Sequence, residues 1–139
     1  KLAGGIWHDN KIKAVIPGGS SVPVVKGEVM MNVNMDYESI SGAGSMLGSG
    51  GVIVMDDTTC MVSVLHRISR FYYAESCGQC TPCRTGCSKA VELMQQDVWD
   101  QSLLTDLCDV MQDASICGLG QAAPNSIRLT MKHFADEIS

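Results

Sequence analysis

Four cysteines, Cys77, Cys80, Cys83 and Cys87, fall within eleven residues of the stretch ESCGQCTPCRTGC. Nothing else in the chain restricts its fold as much. The spacing C-x2-C-x2-C lets one tight loop aim three thiolates at three corners of a cubane, which is why [4Fe-4S] sites use it. A structural zinc site more often pairs two separated C-x2-C knuckles, and only one such run is present. A cubane is therefore favoured over zinc, and a zinc-stapled interaction module is kept as an alternative.

A cubane needs a fourth ligand. Cys87 would complete the bacterial run C-x2-C-x2-C-x3-C, but there the last cysteine precedes proline and serves a second cluster. Here Ser88 follows, and there is no second triple. With Pro82 opening a helix, Cys87 lies one turn beyond Cys83 and points along the helix away from the loop, as a small buried hydrophobe. Cys108 stands at helical spacing among Leu104, Leu107 and Met111 and reads as core, while Cys60 has no partner nearby. That leaves Cys117, in the glycine-containing link Ser115-Ile116-Cys117-Gly118-Leu119-Gly120.

Composition sets the surroundings. Seven cysteines in 139 residues, clustered rather than spread, fit a reducing compartment with thiols kept for a metal better than a disulfide framework. The net charge of −5 and scattered basic residues exclude a nucleic-acid surface. The longest apolar run, Gly51 to Met55, is far short of a membrane span. The chain starts at Lys1 without a methionine or a charged-then-apolar leader, so it is expected to be the tail of a larger polypeptide.

The hydrophobic pattern divides the chain near Asp57. Residues 1–56 read as strand and turn: Lys11 to Ile16, Val22 to Val25 and Glu28 to Val33 are short extended candidates. Val52 to Met55 suits a strand buried on both faces. Residues 57–139 read as four helices. The first is capped by Asp57, Thr58 or Thr59 and carries Met61, Leu65, Ile68 and Tyr72. The second starts at Thr81-Pro82 with Ala90, Val91 and Met94. The third starts near Asp100 with Leu103, Leu107, Val110 and Met111. The fourth starts around Pro124 with Ile127, Met131, Phe134 and Ile138. Short connections imply a bundle. The predicted class is α+β.

Glu75-Ser76-Cys77-Gly78-x-Cys80-x-Pro82-Cys83-Arg84-x-Gly86 resembles the iron–sulfur signature of the flavin-carrying, NADH-oxidising subunit of respiratory complex I, the F-type subunit of NADH-quinone oxidoreductases. The diaphorase subunits of NAD(P)-linked hydrogenases and formate dehydrogenases carry the same motif. The resemblance covers nearly the whole chain. Ala14 to Ser21, Met35 to Glu38 and Gly50 to Asp56 resemble the family's β-grasp (ubiquitin-like, SLBB-type) module over residues 1–56, and residues 57–139 resemble its four-helix iron–sulfur domain. It implies a [4Fe-4S] cluster on Cys77, Cys80, Cys83 and Cys117. It also implies FMN and NAD(H) bound outside this chain, further iron–sulfur subunits as partners, and a cytoplasmic or mitochondrial-matrix complex peripheral to the inner membrane.

Electrons would pass singly from FMN reduced by NADH through the cluster to further iron–sulfur centres. This fragment alone would have no NADH dehydrogenase activity. The stretch from Cys83 to Cys117 is shorter than in typical complex I subunits, and Cys117 to Asn125 is nearer the hydrogenase and formate dehydrogenase branch. A free-standing ferredoxin-like carrier is the alternative from another class.

The remaining candidates read blandly. Ser41 to Gly51 lacks the order G-x-G-x-x-G and precedes a strand rather than a helix, so it is a turn-rich connection and not a nucleotide loop. His8, His66 and His133 stand apart from one another with no catalytic spacing. The nine methionines fall mostly on apolar stripes and read as core filler. Arg84 is either a donor to cluster sulfide or a solvated arginine at a helix start.

Overall fold

A computed structural model describes residues 4–138. The chain falls into two compact units that divide between Thr59 and Cys60, and together they give a mixed α+β fold of helices and one small sheet.

In the first unit a three-stranded antiparallel sheet has the order β2-β1-β3. β1 (Ile12–Ile16) is central, β2 is Val25–Lys26 and β3 is Ile53–Asp56. Val15 lies opposite Val25 on one side and Val54 on the other, and a register shift falls between Ile12 and Ala14. Ala14, Val15, Ile16, Val24, Val25, Ile40 and Met55 form the buried core.

Two expectations fail here. Glu28 to Val33 is not extended, because α1 occupies Gly27–Met30. Gly27 is pressed so closely on the Ile12 backbone that a Cβ would overlap its carbonyl, which leaves the chain turning instead of pairing. The run Val52 to Val54 is not buried on both faces, since β3 is an edge strand and Val52, Ile53 and Val54 are 49, 43 and 47 % exposed. A continuous apolar run reports burial only where other layers cover both faces.

The glycines between Ser41 and Gly51 have a packing role. α2 (Tyr37–Gly42) is capped by Asp36, whose carboxylate accepts the Ser39 N–H at 2.7 Å. The following turn then lies against residues 18–19. The Ser49 N–H donates to the Gly18 carbonyl at 3.1 Å and the Gly19 N–H to the Gly51 carbonyl at 2.8 Å. Gly18 has the Leu47 backbone where a Cβ would stand, and Gly48 takes φ +46° against Gly18. Only glycine permits this approach.

The second unit packs four helices on one another: α3 (Met61–Glu75), α4 (Thr81–Leu93), α5 (Gln101–Ala114) and α6 (Gly118–His133). The first turn of α3 is held from a distance, the Met61 N–H donating to the Glu137 carboxylate at 2.9 Å, and not by Asp57, Thr58 or Thr59. Asp100 caps α5 by accepting the Leu103 N–H at 2.9 Å.

Leu65, Ala90, Met94, Trp99, Leu104, Cys108 and Ile127 make one core cluster, and Tyr72, Cys83, Cys87, Met111 and Ala123 make another. On α5 the inward face carries Leu104, Cys108 and Met111, while Leu103 and Val110 are exposed. The predicted stripe on that helix is therefore rotated by about one residue. α6 begins at Gly118, six residues before Pro124, which lies buried inside the helix. Proline at a first-turn position is a preference that the packing of this segment overrides.

Candidate metal centre

Two helix starts meet at one cavity. Cys80 is the N-cap of α4, with Pro82 in its first turn, and Cys117 is the N-cap of α6. Cys83 stands in the first turn of α4, and Cys77 precedes Gly78, whose φ of +74° turns the loop back. Gly78 can adopt that left-handed conformation without the penalty a side chain would carry.

Cys77, Cys80, Cys83 and Cys117 together line a cavity of about 110 Å³, with Leu119 as an apolar wall. Cys83 is buried, Cys80 half-buried, and Cys77 and Cys117 exposed, so the site opens at the surface of the unit. Unpaired N–H groups at helix N-termini favour thiolates and any anionic group between them.

The local electrostatics agree with that placement. The Ile116 backbone N–H facing Cys80, and after it the Cys83 N–H, hold the Cys80 thiol below its ordinary range. Ile116 adjoins Cys117, so the α5–α6 link brings both a thiol and an amide to the site. Gln121 fixes that link by donating from Nε2 to the Ser115 carbonyl at 3.0 Å. Arg84 neither waves free nor enters the cavity. Its Nη1 donates to the Gly78 carbonyl at 2.6 Å and its Nη2 to Thr81 Oγ1 at 3.3 Å, tying the cysteine loop to the helix it precedes.

The other cysteines lie elsewhere. Cys87 is 3 % exposed among Tyr72, Met111 and Ala123, and its thiol is pushed up to about 12 by burial first and by Cys83 second. Cys108 is fully buried and pushed up to about 11 by burial, with Arg128 opposing. Cys60 is exposed at the start of α3, where the Ser63 hydroxyl lowers its pKa.

Among the described residues no three His, Cys, Asp or Glu side chains converge on one metal-ion position. The four site thiols line one cavity. A mononuclear zinc site needs its ligands about 2.3 Å from a single centre, whereas a cubane distributes its thiolates over separate irons. Four thiols around one cavity are the kind of donor set a [4Fe-4S] cluster takes.

Sequence reasoning did not find Ser76, Ser115 or the Ile116 amide. Ser76 had a readable signal, because serine two residues before a turn glycine forms a local side-chain turn; the Gly78 N–H donates to Ser76 Oγ at 3.3 Å. Ser115 and Ile116 had none, since their place depends on how α5 and α6 pack.

Comparison with known proteins bears on this site directly. A family model described as the NADH-ubiquinone oxidoreductase-F iron-sulfur binding region matches residues 63–139. The second F-type subunit of the NADH-quinone oxidoreductases of Rhizobium meliloti (strain 1021) is 44% identical over 142 residues, spanning 97% of this chain and 33% of the relative. The NADH-quinone oxidoreductase F subunit of Rickettsia bellii (strain OSU 85-389) is 44% identical over 147 residues, spanning 99% and 35%. An NAD+-reducing [NiFe]-hydrogenase in the H2-reduced state matches with a TM-score of 0.75 at 26% identity, over 93% of this chain and 23% of that one.

The chain thus spans about a third of the length of the curated relatives it matches. The matched residues contain the cysteine loop, both helix starts and the α5–α6 link, and on that ground the chain belongs to the family of the NADH-ubiquinone oxidoreductase-F iron–sulfur binding region.

Proposed function

We propose that Cys77, Cys80, Cys83 and Cys117 hold one [4Fe-4S] cluster, and that this chain is the electron-relay part of a larger NADH:acceptor oxidoreductase subunit. When bound, the cluster supplies reversible one-electron storage and no bond chemistry. The observation that carries the reading is the shared cavity: four thiols from two chain segments, set at the N-termini of α4 and α6.

The chain's own residues have separable duties. The N-termini of α4 and α6 favour the negative charge of four thiolates, the Ile116 and Cys83 amides donate toward Cys80, Leu119 keeps water from one wall, and Arg84 holds the loop closed. The exposed thiols of Cys77 and Cys117 put the site within reach of a neighbouring redox centre.

In the longer subunit, NADH and FMN bind outside this chain, and the neighbours are the flavin domain and further iron–sulfur subunits of a cytoplasmic or matrix complex. The relatives include both a quinone-type subunit and a hydrogenase, so either acceptor class is compatible with the site. Residues 1–56 act as a β-grasp module that braces a four-helix bundle, residues 57–139, against that flavin domain. Among the described residues no helix is long and apolar enough to cross a membrane.

Iron and acid-labile sulfide analysis of anaerobically purified chain tests the reading. Four of each per chain are expected, with a reducible EPR signal. One zinc and no sulfide would overturn it. Normal NADH-to-acceptor turnover by a full-length subunit lacking residues 1–56 would overturn the bracing role.

A further inference from the structure

Ser76 Oγ is set against one site thiol and Ser115 Oγ lies near the Cβ of Cys83, and no role above requires either. Ser76 Oγ lies 3.4 Å from Cys83 Sγ. Either atom of that pair can donate when Cys83 is a thiol, but a thiolate only accepts. The Gly78 N–H already donates to Ser76 Oγ at 3.3 Å, so the oxygen is an acceptor on the Gly78 side and its own hydrogen is left for Cys83.

Ser115 is 5 % exposed, and its Oγ has no hydrogen-bond partner among the described residues. It sits where a Cβ on Gly120 would meet it, and that same Cβ would lie 2.8 Å from Cys83 Cβ. A buried hydroxyl without a partner is destabilising, a penalty removed when an acceptor occupies the neighbouring space.

We propose that Ser76 and Ser115 are positioning residues for the cluster, donating hydrogen bonds to its sulfur ligands and thereby raising its reduction potential. The proposal rests on the cluster reading above. Its physical basis is that the reduced cluster carries one more negative charge than the oxidised one, so a donor aimed at ligand sulfur stabilises the reduced form more. The two serines approach from separate segments, Ser76 from the cysteine loop and Ser115 from the α5–α6 link. Each contributes independently.

The test is an EPR-monitored redox titration of the reconstituted full chain, with iron and sulfide counted in the same samples. Ser76→Ala and Ser115→Ala are each expected to retain four irons and to take a lower midpoint potential. The reduced-to-oxidised ratio at fixed solution potential should fall by up to about tenfold, equivalent to 59 mV for one electron. The double variant should fall further, and Ser76→Thr, which keeps the hydroxyl, should stay at the wild-type potential.

Full iron content with unmoved potentials in both alanine variants overturns the proposal. If Ser76→Ala fails to load while Ser76→Thr loads, the Ser115→Ala potential decides it alone: a fall supports the proposal and no change overturns it. A wild-type chain that binds no iron defeats the cluster reading instead, so the two failures are distinguishable.

Discussion

Replacing Cys87 and Cys117 separately by alanine should give opposite pairs of effects. Cys87 Sγ is enclosed, with the side chain 3 % exposed beside Tyr72, Met111 and Ala123, next to a void of about 10 Å³, at the lower limit of what one water needs. Removing a sulfur of roughly methylene size forfeits about 1 kcal/mol of transfer free energy, and the enlarged void adds a few tenths. A loss of about 1–1.5 kcal/mol in a unit of this size lowers the thermal midpoint by roughly 4–12 °C. The iron content should stay at the wild-type value.

Cys117 is exposed at the mouth of the site. Its alanine variant should therefore leave the apo chain's stability within about 0.5 kcal/mol of wild type, the range of ordinary surface changes, while losing or converting the cluster. Differential scanning calorimetry of the apo proteins and iron analysis of the reconstituted ones measure both quantities. Loss of iron from Cys87→Ala with retention in Cys117→Ala would refute the ligand set and restore a purely local four-cysteine site.

Three further outcomes are expected. Gly120→Ala puts a methyl against Ser115 Oγ and 2.8 Å from Cys83 Cβ; overpacking of this kind costs about 1–3 kcal/mol, and iron retention should drop with it. Arg84→Ala releases the Gly78 carbonyl and Thr81 and should speed iron loss to a chelator several-fold; Arg84→Lys should not restore the rate, because an ammonium lacks the planar fork that reaches both acceptors. Asp56 is held at about 2 by hydrogen bonds from Asn10, Thr58 and Thr59. Its folded pKa is below its unfolded value of 3.8, so its stabilisation is present above about pH 4 and is lost as pH falls through about 2. Asp56→Asn should therefore melt below wild type at neutral pH, and the gap should close over that acid window.

The placing of the four candidate cysteines at one cavity was more legible than the sheet. C-x2-C-x2-C and the Thr81-Pro82 start are local signals, and a local signal survives whatever surrounds it. Cys117 was proposed from its link, and that link is the N-cap and first turn of a helix, with Cys117 lining the same cavity as the other three cysteines. The obstacle there was Pro124, whose taste for helix starts hid a helix already running from Gly118. The strands were harder because burial of Val52 to Val54, or the turning of Glu28 to Val33, depends on what packs nearby and on a single close approach at Gly27. The Met61–Glu137 bond spans most of the second unit, and no window of sequence contains both ends.

The α5–α6 link, held by the Gln121–Ser115 hydrogen bond, brings Cys117 to a loop that lies 34 residues away at Cys83. On the proposed ligand set, a group that grips all four thiols must wait for that docking, and then locks it. Folding and loading become one equilibrium: a tightly held cluster stabilises the closed unit by mass action, and stripping it relaxes the starts of α4 and α6 together. A chain that has lost its iron would thus open first at this end, leaving the core around Leu65 and Leu104 intact.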